Sequence, residues 1–168
     1  MAQKTDVFQD LYRYNAWANA RVFAACRGVE PATLQGDALG TYGSLEETLK
    51  HLVSVEDAYL AMLQDKLPGG EGRDQYFAHD LPWFAERSSQ LGQAYLALLP
   101  AFDDATLASP LRVPWFDFPL TKRDGLHQVL SHSGQHRAQV LSVLGARGAE
   151  VPDLDYVMMV EERVKGKA

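Results

Sequence analysis

Cysteine is nearly absent from this chain: Cys26 is the single example in 168 residues. One thiol rules out an intramolecular disulfide and any zinc site built from several thiolates, and it fits a reducing, cytoplasmic setting. The first ten residues, Met1 to Asp10, carry no apolar core of the signal-peptide kind. Runs such as Ala94–Leu99 fall far short of the roughly 20 apolar residues that span a bilayer, so no membrane association is expected. Positive charge is in deficit, with 16 Lys and Arg against 22 Asp and Glu, a net charge of −6, and no basic stripe. Such a chain repels phosphate backbones, which disfavours nucleic acid as a partner. Internal repeats and low-complexity tracts are absent. So is any Glu-x-x-His pair, the motif that di-iron carboxylate bundles require.

What is present is an ordinary folding composition, 46% hydrophobic and 23% charged, at a length that fits one domain spanning 1–168. Four long segments carry the helical period. The first runs from about Thr5 to Arg27, with Phe8, Leu11, Tyr12, Val22 and Phe23 on one stripe, and Gly28 and Pro31 end it. The second follows Ser44-Leu-Glu-Glu47, a capping-box pattern, and stops at the Leu67-Pro-Gly-Gly-Glu-Gly72 run. The third starts near Asp80, tolerates Pro82 in its first turn and continues to Pro100. The fourth starts at Thr121, with Asp124 three residues on, and ends between Gly145 and Gly148. A shorter fifth helix is predicted from about Asp153 to Lys165. The stretch from Ala101 to Leu120 lacks helical pattern, being cut by Pro110, Pro114 and Pro119, and its aromatic core suggests short extended pieces. Four amphipathic helices of this length define an all-α bundle. The connection from about Asp65 to His79 is long enough to allow a crossover and a parallel neighbour pair.

Five histidines are the chemical resource. His132 and His136 are four apart in the fourth helix, which sets their side chains about 40° apart on one face and lets two imidazoles converge on one ion. A surface pair is the bland alternative. His51, on the edge of the second helix's apolar stripe, supplies a third nitrogen if the two helices face each other. Three neutral imidazoles suit a divalent metal of the zinc or nickel type, with iron or manganese as alternatives, and leave open positions for water or substrate. His127 points about 140° away from His132 and is read as a surface residue. His79 lies at a loop-to-helix junction, where capping or solvent exposure is the simpler role. Glu47 could add a carboxylate, but its capping position already accounts for it.

Several polar residues interrupt the apolar stripes: Asn15, Asn19, Glu56 and Arg137. Buried charges are costly unless paired, so Glu56 is predicted to meet Arg137 or the asparagines in a buried network. Arg137, directly after His136, could instead line the pocket and hold an anionic group. Trp17 lies opposite the helix-one stripe and marks either an oligomer contact or packing beneath the Ala101–Leu120 segment. Trp115, Phe116 and Phe118 are candidate pocket walls. Cys26 has apolar neighbours and reads as an inert buried thiol. No general base stands out.

Four segments together resemble the DinB family of small metalloproteins: Tyr14–Arg21 in the first helix, His51–Glu56 in the second, His132–Gln139 in the fourth, and the closing Asp153–Tyr156. Their order and spacing cover nearly the whole chain. The resemblance implies a four-helix bundle of up-down-down-up topology, a divalent metal held by His51, His132 and His136, and a homodimer. Where the family's fourth-helix motif often has glycine after arginine, this chain has Ala138. Relatives in the wider superfamily are thiol-dependent S-transferases and a thiol-dependent isomerase, in which the metal activates a low-molecular-weight thiol. By analogy the chain is expected to be a metal-dependent enzyme of thiol-transferase or hydrolase type acting on a small molecule. The alternatives are a non-enzymatic, stress-related bundle that binds a metal or small ligand, and a bundle whose histidines are structural.

Overall fold

Side-chain caps start three of the long helices where the sequence places them. In the computed structural model, which describes residues 5–69 and 72–166, the elements in chain order are α1 (Thr5–Cys26), α2 (Pro31–Gln35), α3 (Leu45–Leu63), α4 (Arg73–Ala78) and α5 (Leu81–Leu98). They continue with a 3-10 turn (Leu99–Ala101), α6 (Asp104–Ala108), β1 (Pro110–Leu111), β2 (Leu120–Thr121), α7 (Lys122–Ala146) and α8 (Tyr156–Val164). Ser44 Oγ accepts from Glu47 N at 3.1 Å while Ser44 N donates to Glu47 Oε2 at 2.7 Å, a complete capping box ahead of α3. Thr121 and Asp124 form the same reciprocal pair at α7, and Asp80 accepts from Trp83 N at α5. Glu47 is therefore committed to a helix start. At the far end of α7 the chain leaves the helix through Gly148, whose φ of +82° is cheap for glycine alone.

The four long helices pack in a ring in which α1 and α3 each touch both α5 and α7. Tyr12 meets Tyr95 and Asn19 meets Ser88, so α1 and α5 run antiparallel. Phe8 meets His127 and Asn19 meets Arg137, so α1 and α7 run parallel. Lys50 lies over Phe84 and Tyr95 donates to Glu56 O, so α3 and α5 run parallel. His51 meets His132 and Lys122 Nζ donates to Leu63 O, so α3 and α7 run antiparallel. The apolar stripes meet inside this ring: Tyr12, Leu49, Leu52, Phe84, Leu126 and Val140 are each no more than 1% exposed. Truncating any such leucine to alanine costs about 2–5 kcal/mol, because the vacated space refills only in part.

The segment between α5 and α7 corrects the expectation of a non-helical stretch. It holds α6, started by Asp103, whose carboxylate accepts from Thr106 N at 2.7 Å. Five residues are too few to display a 3.6-residue period, so a local cap decides what pattern cannot. The expected extended pieces are β1 and β2, paired antiparallel with Leu111 opposite Leu120. Between them a loop presents Trp115, Phe116 and Phe118. The Asp65–His79 connection likewise contains α4.

The last helix starts at Tyr156 rather than Asp153, because Asp153 Oδ1 accepts from Asp155 N and holds an extended turn there. This end of the chain also corrects one expectation for Trp17. Its Nε1 donates to Glu162 Oε2 at 2.9 Å, the Arg21 guanidinium stacks 4.4 Å from its ring centre, and Arg21 pairs with Glu162. Trp17 thus packs against α8, away from the 101–120 segment. No described helix is long and apolar enough to cross a membrane.

Candidate metal centre and its cavity

His51 leaves α3 where that helix faces α7. His132 and His136 leave α7 on the same side, as their four-residue spacing dictates. The structure brings all three together. His132 Nε2 lies 3.1 Å from His51 Nε2 and 3.1 Å from His136 Nε2, and one ligand atom from each falls within 4.8 Å of the others. The three rings meet edge to face, with centroids 4.3 to 5.0 Å apart.

Each imidazole is held differently. Tyr42 stacks on His51 with ring centroids 4.0 Å apart and planes 9° from parallel. His136 is 7% exposed, and its Nδ1 lies 2.7 Å from Gln139 Oε1. That oxygen accepts only, so Nδ1 carries a proton and Nε2 is the nitrogen turned to the cluster. His132 Nδ1 is buried without a hydrogen-bond partner. Burial, then the neighbouring His136, pushes both His51 and His132 down from the ordinary 6.5 to about 4. Both are therefore neutral at physiological pH, the protonation state that ligates a metal. Three convergent imidazole nitrogens fit a divalent ion of borderline softness with positions left for other ligands.

A cavity of about 790 Å³ opens beside this cluster, within the roughly 300–1,000 Å³ common for small-ligand sites. Ser54, Val55 and Ala58 continue the face of α3 that carries His51 and form its floor. His132 lies on its wall and His136 sits behind. Tyr76, Phe77 and Trp83 form one aromatic group of its lining, and Trp115 and Phe116, beside Tyr59, a second. Phe118 was expected to join them but stacks on Phe116 from outside the cavity wall, with ring centroids 4.9 Å apart.

Arg137 does not line the cavity. It is 4% exposed, and its guanidinium donates at 2.6 Å to Asn15 Oδ1 and to Asn19 Oδ1. The asparagines in turn donate to Glu56, giving the anticipated buried network. The remaining histidines fall as expected. His127 is exposed, and His79 caps the end of α4 with its ring stacked on Trp83 at 4.0 Å. Cys26 is buried, and that burial raises its thiol to about 11.

Sequence reasoning missed Gln139, although its i+3 spacing from His136 is a local signal that could have found it. It also missed the charged cavity wall. Asp57 takes two hydrogen bonds from Arg87, at 2.7 and 2.8 Å, and one from Tyr76 at 3.1 Å, while Arg73 stands at the rim. These residues come from α3, α4 and α5, and only the fold brings them together.

The fold is an all-α helical bundle in which three histidines from two antiparallel helices come together beside an aromatic cavity, an arrangement compatible with metal binding. The sequence profile of the DinB family matches residues 1–164, and the chain belongs to that family. The crystal structure of a DinB-like protein from Bacillus cereus ATCC 10987 is similar, with a TM-score of 0.70 and 17% identity over 91% of this chain and 99% of that chain. At that identity the likeness is one of fold. No curated protein matches the chain.

Proposed function

We propose that His51, His132 and His136 hold a divalent metal, zinc or nickel by preference, and that the protein is a metal-dependent enzyme of the thiol-transferase type acting on a small molecule in the adjoining cavity. The observation that carries this reading is the convergence of three Nε2 atoms, two of them 3.1 Å from the third, at a cavity wall. A divalent ion bound there would supply the acidity that turns a thiol or water into a nucleophile near neutral pH. The chain's own residues prepare the place. Gln139 fixes the His136 tautomer, Tyr42 covers the His51 ring, and Trp115 and Phe116 give the cavity an apolar wall. Asp57, committed to Arg87 and Tyr76, is not free to act as a base. Cys26, buried and held protonated at neutral pH, is no nucleophile, so a thiol used here comes from a small molecule.

Metal analysis of protein purified without an affinity tag tests the site. The wild type should carry about one equivalent and His132→Ala much less; a metal-free wild type, or a fully loaded variant, would overturn the reading. Activity is tested by conjugating an electrophile to a panel of cellular thiols. A rate that disappears with chelation and returns with metal supports the enzyme, and no metal-dependent rate with any thiol leaves a binding bundle.

A further inference from the structure

The cavity wall carries a charge that the chain as a whole does not. The sequence is acidic, with a net charge of −6, yet the ionised side chains on this wall are Arg73, Arg87 and Asp57, a local excess of one positive charge. Asp57 is matched in place. Arg87 Nε and one terminal nitrogen clamp both of its oxygens, and Tyr76 adds a third bond. That clamp holds Arg87 more firmly protonated than usual. Of its five N–H donors the clamp uses two, Gln90 takes a third at 3.4 Å and the Tyr76 hydroxyl interacts with another, which leaves one for a further acceptor. Arg73 has no carboxylate partner among the described residues. Its guanidinium packs over Phe77, 5.4 Å from the ring centre, and lies close enough to His51 to help depress that imidazole.

Two further observations describe the rest of the occupant. Phe77 and Trp83, in one ring cluster around Tyr76, and Trp115 and Phe116, in another beside Tyr59, offer flat apolar surfaces to the cavity. Tyr59, 2% exposed at the wall beside Trp115, keeps its hydroxyl buried with no partner. An unmatched buried hydroxyl is costly, and a ligand oxygen would relieve it.

We propose that the cavity binds an organic carboxylate with a flat aromatic body, its carboxylate on Arg73 and the remaining donor of Arg87, its body against the aromatic walls. The proposal rests on the reading above that this cavity is the substrate site, and it names the substrate class. A planar guanidinium matches a carboxylate in a way that no neutral group can, and in a chain this acidic the local positive charge favours anions at that spot.

The test uses chelator-treated, metal-free protein, so that its outcome is independent of metal loading. Binding of 2-naphthoate and of the neutral 2-naphthamide is measured by calorimetry, with fluorescence of Trp83 and Trp115 as a second readout. The acid should bind about tenfold more tightly than the amide, the worth of one charge-assisted hydrogen bond. Arg73→Gln should cut the acid's affinity by a similar factor and leave the amide's unchanged. Since Arg73 is exposed, that variant should keep the wild-type melting temperature; Arg87→Lys, which retains the charge facing Asp57 but loses the planar fork, is the second variant and should weaken the acid alone. Equal affinity for acid and amide, no binding of either, or an unchanged acid affinity in both variants would overturn the proposal. Naphthoate binding in a protein whose wild type never loads metal would sink the metalloenzyme reading and leave this one standing.

Discussion

Glu56 and Arg137 are joined through two asparagines rather than directly. Asn15 Nδ2 donates to Glu56 Oε1 at 2.8 Å, Asn19 Nδ2 does so at 3.0 Å, and the amide oxygens of both accept from Arg137 at 2.6 Å. Ser133, between His132 and His136 in α7, adds a 2.6 Å bond to the same carboxylate. One charge pair, spread over α1, α3 and α7, thus fixes the rotation of the turn that carries His132 and His136. Packing and site geometry are set by the same atoms.

Breaking this network on one side should be much worse than removing both ends. Glu56→Leu and Arg137→Met should each lower the urea-unfolding free energy by about 3–5 kcal/mol, because each strands a buried charge. The double variant should cost clearly less than the sum of the two. Additive losses in the double-mutant cycle would show that the two charges do not communicate through the asparagines.

Gln139 should matter to metal affinity and little to folding. Its oxygen lies 2.7 Å from His136 Nδ1 and is the polar partner that fixes which nitrogen of that ring faces the cluster. Gln139→Leu should reduce divalent-metal affinity by about 10–100-fold, in the range found for such supporting partners. Titration with zinc against a competing chelator measures it, and an unchanged affinity would show that the tautomer is set without Gln139.

The lowered histidine pKa values give the metal-free protein a distinct acid response. His51 and His132 sit at about 4, against 6.5 in the unfolded chain, so between those values the unfolded chain binds more protons. Stability from this source is constant above pH 6.5, falls as pH drops from 6.5 to 4, and falls no further below that. Melting temperatures of chelator-treated protein across this window should decline more steeply for the wild type than for His51→Gln/His132→Gln. Parallel curves for the two proteins would contradict the shifts.

The parts legible in the sequence were those written locally. Ser44 with Glu47 and Thr121 with Asp124 announce helix starts within four residues, and His132 with His136 declare a shared face by spacing alone. Glu56 and Arg137 betray a network because charge in an apolar stripe demands partners. The hidden parts depend on distance or brevity. Nothing local ties Asp57 to Arg87 thirty residues away, and α4 and α6 are shorter than the pattern that would reveal them. Arg137 was ambiguous for a related reason: adjacency to His136 suggested the cavity, whereas a helix turns successive side chains about 100° apart, and that rotation sends it into the core instead.

Two glycines separate close approach from mere permissiveness. A Cβ built on Gly92 would stand 2.8 Å from Ala16 Cβ, where α5 crosses α1, and an alanine methyl cannot swing aside. Gly134, in the site-bearing turn of α7, would meet nothing nearer than Arg137 at 3.8 Å, an ordinary contact. Both changes to alanine gain about 1 kcal/mol of helix propensity. Gly134→Ala should therefore stabilise the protein by up to that amount. Gly92→Ala should lose stability on balance, since separating the helices costs about 1–3 kcal/mol through overpacking. Chemical denaturation of the two variants decides it: a stabilised Gly92→Ala would mean that α1 and α5 can part without cost, and that their contact does not set the spacing of the bundle.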